Sequence, residues 1–159
     1  MKSVRTAELI DYLRDKGLKC TFAESLTGGM AASGIVDIPG ASDVLEGSIV
    51  AYSDAYKINV LGVPSEIIAS KTAVSSECAV SMAEQALKLS GVDVAVSVTG
   101  YAGPGDGPDG TPSGTVYIGY ADKNGSGAIH ERFAGSRDAV RQCTRDYAYD
   151  LMYERATQL

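Results

Sequence analysis

The sequence predicts an α/β protein, a three-layer α/β/α sandwich built around a mixed sheet. Helix-like and strand-like segments follow one another in the order α-β-α-β-α-α-β-β-β-α. Alternating segments of this kind give parallel strands, whereas the last two strands are close enough to form an antiparallel hairpin. A chain of 159 residues suits one domain, so residues 1–159 are predicted to share one core.

The first quarter of the chain predicts a helix, a strand and a second helix. Apolar residues within 4–16 recur at near-helical spacing, and Gly17 follows as a stop signal. Residues 18–24 are β-prone and mostly apolar. The glycine-rich turn 27–29 then leads into the small-residue segment MAASGIV, which predicts a closely packed helix.

The next segment predicts one strand and three helices. Residues 44–53 are rich in β-branched and apolar side chains, and short helices are expected at 54–61 and 64–70. Two consecutive serines precede residues 77–89, where the apolar spacing predicts a longer, well-capped helix.

The last part of the chain contains a buried strand, a glycine-rich loop and a hairpin. Residues 92–98 are almost entirely apolar, which is typical of a strand covered on both faces. The loop 99–114 is longer than most connections and is rich in glycine and proline, so it is expected to be functional. Strands at 115–121 and 127–133 form the predicted hairpin, and a long helix begins at Ser136.

Composition and charge restrict the classes of function. The formal charge of −6 disfavours nucleic acid and anionic membrane surfaces as partners, which leaves a small molecule as the expected ligand. No apolar run reaches the length of about 18 residues that a membrane helix requires. The charged N-terminal segment lacks the apolar core of a secretory signal, so the expected location is the cytoplasm.

The cysteines and the single histidine give no sign of a metal or cofactor site. Cys20, Cys78 and Cys143 are odd in number and far apart, so no disulfide or zinc site is expected and all three are interpreted as core residues. His130 has charged neighbours in the late hairpin and is interpreted as a solvated edge residue. A Ser-His-Asp triad is therefore disfavoured.

Ser25 is the first candidate for chemistry, because it lies where an apolar strand meets a glycine-rich turn and a helix. Such a position exposes a hydroxyl and directs free backbone N–H groups at a neighbouring ligand, as an oxyanion hole requires. Position alone favours the alternative, in which Ser25 or Thr27 is an N-terminal helix cap.

Lys57 is the candidate that could activate Ser25. It is the only basic residue between positions 25 and 70, and apolar residues follow it, so burial could lower its pKa enough to supply a neutral amine. Tyr52 could lie beside it and relay or orient a proton. The alternative is a surface lysine paired with Asp54.

The glycine-rich loop and three arginines are candidates for phosphate recognition. The loop lacks the P-loop and dinucleotide-binding patterns, yet its backbone amides could still surround a phosphate or a ribose; a plain surface loop is the alternative. Arg137, Arg141 and Arg145 recur every four residues and could present positive charge to a phosphate. Pairing with Asp138 or simple solvation would explain the same spacing.

Several motifs, taken together, resemble the CinA C-terminal-domain family over nearly the whole chain. The motifs are AESLTGG at 23–29, VAYSDAYKINVLGV at 50–63, AVS at 73–75, TGYAGPGDG at 99–107, PSGTVYIG at 112–119 and GSRDAVR at 135–141. Tyr101, Asp106 and Thr72 depart from the family pattern, which has a small aliphatic residue, an uninterrupted glycine pair and a glycine at these places.

The resemblance implies a nicotinamide-nucleotide amidohydrolase that uses no cofactor or metal and that could form a homo-oligomer. It implies Ser25 as nucleophile, Lys57 as base and Tyr52 as a residue that returns a proton to ammonia. The oxyanion and substrate contacts that follow are Thr27, Gly28, Gly29, Thr99, Gly100, Ala102, Gly103, Gly105, and one of Arg137, Arg141 and Arg145. Two other functions fit the sequence: a non-catalytic nucleotide-binding module of the same fold, and an amidase for another small amide.

Overall fold

The computed structural model describes residues 3–159. Its six α-helices are α1 (Thr6–Lys16), α2 (Met30–Val36), α3 (Asp54–Tyr56), α4 (Ser65–Lys71), α5 (Ser76–Ser90) and α6 (Arg137–Ala156). A π-helical turn (Lys57–Leu61) continues α3. Its five strands are β1 (Cys20–Glu24), β2 (Leu45–Val50), β3 (Val94–Gly100), β4 (Thr115–Asp122) and β5 (Gly125–Arg132).

The five strands form one mixed sheet in the order β2-β1-β3-β4-β5. Strands β2, β1 and β3 are parallel, whereas β4 is antiparallel to both of its neighbours. The chain passes from β1 to β2 on one side and then returns to β3 on the other side of β1. This change of direction leaves a crevice at the carboxyl ends of the parallel strands, where open α/β sheets bind ligands.

Helices cover both faces of the sheet and complete the three layers. Helices α1, α2 and α6 pack on one face, around a core that includes Phe22, Val94 and Val96. On the other face α5 packs against the smaller side chains Ala23 and Ala95. Side chains alternate between the two faces along each strand, so the large residues of β1 and β3 fill one core and the small ones allow α5 to lie close.

The structure confirms the predicted α/β class and the mixed sheet. Gly17 ends α1 in a left-handed conformation, and Ser75 and Ser136 cap α5 and α6 through their hydroxyls, as their positions in the sequence predict. The hairpin turn is tighter than predicted, because Asp122 already pairs with Gly125.

Two further expectations are wrong. Strand β2 ends at Val50, so Tyr52 lies beyond the strand rather than on it. Cys20 and Cys78 are buried as expected, but Cys143 is exposed. The buried positions Val140, Thr144 and Ala148 recur every four residues along α6, and Cys143 lies off this row.

Candidate active site

A cavity of about 740 Å³ opens at the carboxyl ends of the three parallel strands. Ser25 follows β1 directly, Lys57 lies beyond the end of β2, and Thr99 is near the end of β3; all three line the cavity. The sheet thus brings together residues that are up to 74 positions apart in the chain. The location agrees with the general rule for ligand sites in open α/β sheets.

Ser25 and Lys57 contact each other in the wall of the cavity. The Ser25 Oγ and Lys57 Nζ atoms lie 2.9 Å apart, and Nζ also donates a hydrogen bond to the Tyr52 carbonyl oxygen at 3.0 Å. Lys57 is only 2% exposed. Because a carbonyl can only accept, it orients one amine hydrogen and leaves the lone pair of a neutral amine free for the Ser25 hydroxyl proton.

Burial lowers the pKa of Lys57 below the ordinary lysine value, because desolvation penalises the ammonium form. The negative charge of Asp54, and of Cys78 when ionised, acts in the opposite direction. Burial raises the pKa of Cys78 to about 11, so this thiol is neutral near pH 7 and does not oppose the shift there. The ion pairs among residues 3–159 do not include Lys57, so the alternative of a surface lysine paired with Asp54 is wrong.

The local backbone directs the Lys57 side chain inward. Lys57 begins the π-helical turn, and its carbonyl accepts from the amides of both Gly62 and Val63 at 3.0 Å. Gly62 closes this turn in a left-handed conformation with φ of 93°, which glycine adopts without strain. Single π-helical turns of this kind are frequent at functional sites.

Glu24 anchors the turn that carries Ser25. Its carboxylate is completely buried and accepts hydrogen bonds from the Thr27 hydroxyl at 2.8 Å, the Ser48 hydroxyl at 2.7 Å and the amides of Ala31 and Ala32 at 2.8 and 3.2 Å. It therefore supplies the hydrogen-bond acceptor for free N–H groups at the N-terminus of α2. The interpretation of Ser25 or Thr27 as the helix cap is wrong. Sequence reasoning missed Glu24, although a charged residue inside an apolar strand was a signal.

The candidate oxyanion donors differ from those predicted. Residues 27–29 do not line the cavity, and the Gly28 amide already donates to the Ser25 carbonyl at 3.0 Å. Leu26 does line the cavity. Within residues 3–159 its amide has no hydrogen-bond partner. Leu26 is therefore the residue of this turn that both lines the cavity and has an amide without a partner, which makes this amide the candidate donor. Only the folded turn could reveal this.

Tyr52 and Arg137 form a hydrogen-bonded pair at the cavity that holds Ser25 and Lys57. Arg137 donates to the Tyr52 hydroxyl at 3.2 Å and to the Gly103 carbonyl at 2.7 Å, and both residues line the cavity. Tyr52 is 61% exposed. It contacts Lys57 through its carbonyl rather than its hydroxyl, so the structure does not bring that hydroxyl next to the amine.

The other two arginines do not line the cavity. Arg141 donates to the Leu26 and Thr27 carbonyls at 2.8 and 3.1 Å. Arg145 pairs with its neighbour Asp146 at 2.9 Å. Of the three arginines, therefore, only Arg137 is placed to meet a ligand.

The glycine-rich loop forms a further part of the cavity wall. Thr99, Gly100, Ala102, Gly103 and Gly105 all line it, as does Tyr101. The backbone of Tyr101 is held on both sides, because its amide donates to Thr115 and its carbonyl accepts from Gly114.

The departures from the family motif in this region have structural roles. The Asp106 carboxylate accepts from the Ser113 amide at 2.8 Å, which ties the middle of the loop to its C-terminal end. Thr72, where the motif has glycine, lies on the cavity wall with φ of 70°. A β-branched residue is strained in that conformation.

The charges around the cavity are of both signs. Asp54, Asp106 and Asp109 line it together with Arg137, and Lys57 adds no charge when neutral. No group of three or more potential metal ligands of the His, Cys, Asp and Glu types occurs among residues 3–159. In the same range, no helix is both long enough and apolar enough to cross a bilayer.

Comparison with known proteins agrees with the fold and the motifs. The sequence model of the CinA C-terminal domain matches residues 3–156. The structure resembles that of a competence-damaged protein (CinA) superfamily protein from Klebsiella pneumoniae, with a TM-score of 0.92 and 33% identity, over 98% of this chain and 100% of the other. A competence/damage inducible protein from Agrobacterium tumefaciens gives a TM-score of 0.90 and 33% identity, over 94% of this chain and 92% of the other.

A curated relative is similar over part of its length. The CinA-like protein of Geobacter sulfurreducens is 44% identical over 142 residues, which cover 89% of this chain and 34% of the relative. This chain thus spans about a third of the length of the curated relatives it matches.

Proposed function

This chain belongs to the CinA C-terminal domain family, and we propose that it is a nicotinamide-nucleotide amidohydrolase. It would convert nicotinamide mononucleotide and water to nicotinate mononucleotide and ammonia. The observation that carries the proposal is the 2.9 Å approach of Ser25 Oγ to the buried amine of Lys57, at the wall of a cavity large enough for a mononucleotide.

The first half of the reaction forms an acyl-enzyme. Lys57 takes the Ser25 hydroxyl proton while Oγ forms a bond to the carboxamide carbon, and negative charge develops on the carboxamide oxygen. The Leu26 N–H is the donor for this oxyanion. The C–N bond then breaks, the Lys57 ammonium returns the proton to the departing nitrogen, and ammonia leaves a Ser25 ester.

The second half releases the acid. Lys57, neutral again, removes a proton from a water molecule that attacks the ester carbon. The bond to Oγ breaks, Ser25 recovers its proton from Lys57, and nicotinate mononucleotide is released. The lowered pKa of Lys57 supports this cycle, because an ordinary lysine with a pKa of about 10.4 would be charged near pH 7 and could not accept a proton.

The positive and negative charges that line the cavity support a substrate that itself carries both a positive and a negative charge. A nicotinamide nucleotide has a positive pyridinium ring next to the carboxamide and a negative phosphate at its other end. Arg137 is the cavity's contact for the phosphate, whereas Asp54 and Asp109 favour the cationic ring. A neutral small amide would use neither feature.

Ammonia release tests the proposal. We expect the purified protein to release ammonia from nicotinamide mononucleotide much faster than from free nicotinamide, because the phosphate and ribose contribute binding energy. Ser25→Ala should abolish release, whereas Ser33→Ala, an exposed position on α2, should leave it unchanged. Equal rates on the two compounds, or an active Ser25→Ala protein, would refute the proposal. Binding of the nucleotide without release of ammonia would instead favour a non-catalytic binding module.

A further inference from the structure

Arg141 reaches from α6 to the nucleophile turn, which consists of residues 25–29. Its Nε donates to the Leu26 carbonyl at 2.8 Å and its Nη2 donates to the Thr27 carbonyl at 3.1 Å. Among residues 3–159, its only ion pair is a 3.8 Å approach to Asp138, whose side chain is largely exposed. Since Arg141 does not line the cavity, its charge serves the backbone of the turn rather than a ligand.

These contacts fix the orientation of consecutive peptide groups. A peptide group is planar, so fixing the direction of its C=O also fixes the N–H on its other side. Arg141 fixes the two groups that join Leu26 to Thr27 and Thr27 to Gly28. The Gly28 amide then donates back to the Ser25 carbonyl at 3.0 Å and fixes the group that carries the Leu26 N–H.

We propose that Arg141 is a positioning residue for catalysis, which holds the nucleophile turn so that Ser25 Oγ and the Leu26 N–H act on the same carbonyl group. The role rests on the acyl-transfer chemistry proposed above. It requires the planar fork of a guanidinium, which can bond two carbonyls at once, whereas a lysine would supply one point charge.

Arg145 is a matched control on the same helix. It lies one turn further along α6, pairs with Asp146, and does not line the cavity. Removing Arg145 changes the charge and the exposed surface of α6 much as removing Arg141 does, but it leaves both carbonyl contacts intact. A difference between the two variants therefore reports the contact with the nucleophile turn.

Steady-state kinetics with nicotinamide mononucleotide give the first test. Arg141→Ala should lower kcat at least about tenfold with little change in KM, because the oxyanion exists only in the transition state. Added guanidinium should restore part of kcat, Arg141→Lys should keep an intermediate kcat, and Arg145→Ala should match the wild-type protein. A loss expressed mainly in KM, or one that guanidinium does not restore in a variant with unchanged melting temperature, would overturn the assignment.

Labelling of Ser25 by a fluorophosphonate gives a test that does not depend on the natural substrate. Oγ attacks phosphorus, fluoride leaves, and the added mass is followed on the intact protein. Arg141→Ala should be labelled at least about tenfold more slowly than the wild type and Arg145→Ala equally fast. If the wild type, Arg141→Ala and Arg145→Ala are labelled at equal rates, the role of Arg141 is overturned even if ammonia is released. Slow labelling of Arg141→Ala alone would support it even if the nucleotide is not hydrolysed. An unlabelled wild-type protein would overturn both the nucleophile and its positioning residue.

Discussion

Replacing Lys57 with methionine should abolish activity and at the same time stabilise the fold. The ammonium form has three hydrogens to donate, and the structure offers its Nζ two acceptors, the Ser25 hydroxyl and the Tyr52 carbonyl. Burying this amine is costly because the unfolded chain carries it as a hydrated ammonium near pH 7, and folding must remove its proton or its hydration. Even buried ion pairs, whose charges compensate each other, can be replaced by apolar residues of similar volume with a gain of about 1–4 kcal/mol. The two lost hydrogen bonds, worth about 1 kcal/mol each, reduce the gain. We therefore expect a net increase of about 1–2 kcal/mol in the free energy of unfolding near pH 7.

The pH dependence of the stability gained by Lys57→Met identifies the cause of this gain. The pKa of Lys57 is lowered in the folded protein. As the pH falls below about 10.4, the unfolded wild-type chain therefore takes up a proton that the folded chain does not. The wild type loses stability over this range, down to the folded pKa, and the methionine variant does not. The difference between them should be smallest near pH 10 and should grow towards lower pH.

Urea unfolding at several pH values measures the difference, with Lys88→Met, an exposed position on α5, as the control. The control should change stability by less than about 0.5 kcal/mol at every pH. A Lys57→Met protein that is less stable than the wild type near pH 7, or whose gain does not vary with pH, would refute the conclusion that burial depresses the pKa of this lysine.

Three further predictions concern the surroundings of the Ser25–Lys57 pair. Glu24→Ala leaves two buried and two part-buried donors without their acceptor and should lower the free energy of unfolding by about 3 kcal/mol in urea, whereas exposed Glu46→Ala should stay within about 0.5 kcal/mol. Thr72→Gly relieves a positive φ and should raise the melting temperature, although glycine makes the unfolded chain more flexible; a lower melting temperature would show that Thr72 is not strained. Arg137→Ala should raise KM for nicotinamide mononucleotide much more than it lowers kcat, and an unchanged KM would exclude Arg137 as the phosphate contact.

The architecture could be predicted from the sequence because the spacing of apolar residues and the residues at helix ends determine each element locally. The apolar run of β3, the serine caps of α5 and α6 and the glycine after α1 each act within a few residues. The burial of Lys57 was one of two alternatives that the sequence left open, because apolar residues follow it but Asp54 precedes it.

The details of the site were less predictable from the sequence. They depend on how far along a helix or strand each residue lies and on the backbone conformation of the turns that follow the strands. Arg137 and Arg145 share one helix face, but eight residues separate them by about 12 Å along the axis, so only Arg137 reaches the cavity. The direction of the Tyr52 hydroxyl depends on where β2 ends. The anchoring of the Ser25 turn by Glu24 and Arg141 depends on contacts across the sheet and from α6, which no local pattern specifies.

The most direct test of the central claim is the rate of ammonia release from nicotinamide mononucleotide by four variants: Ser25→Ala, Lys57→Ala, Lys57→Arg and the Ser25→Ala/Lys57→Ala double variant. If Ser25 and Lys57 act as one nucleophile–base unit, the two single alanine variants and the double variant should fall to a similar residual rate, because either loss disables the pair. Lys57→Arg should fail as well, since a guanidinium stays protonated and cannot accept the serine proton. An active Lys57→Arg enzyme, or a double variant slowed by the product of the two single losses, would contradict the claim.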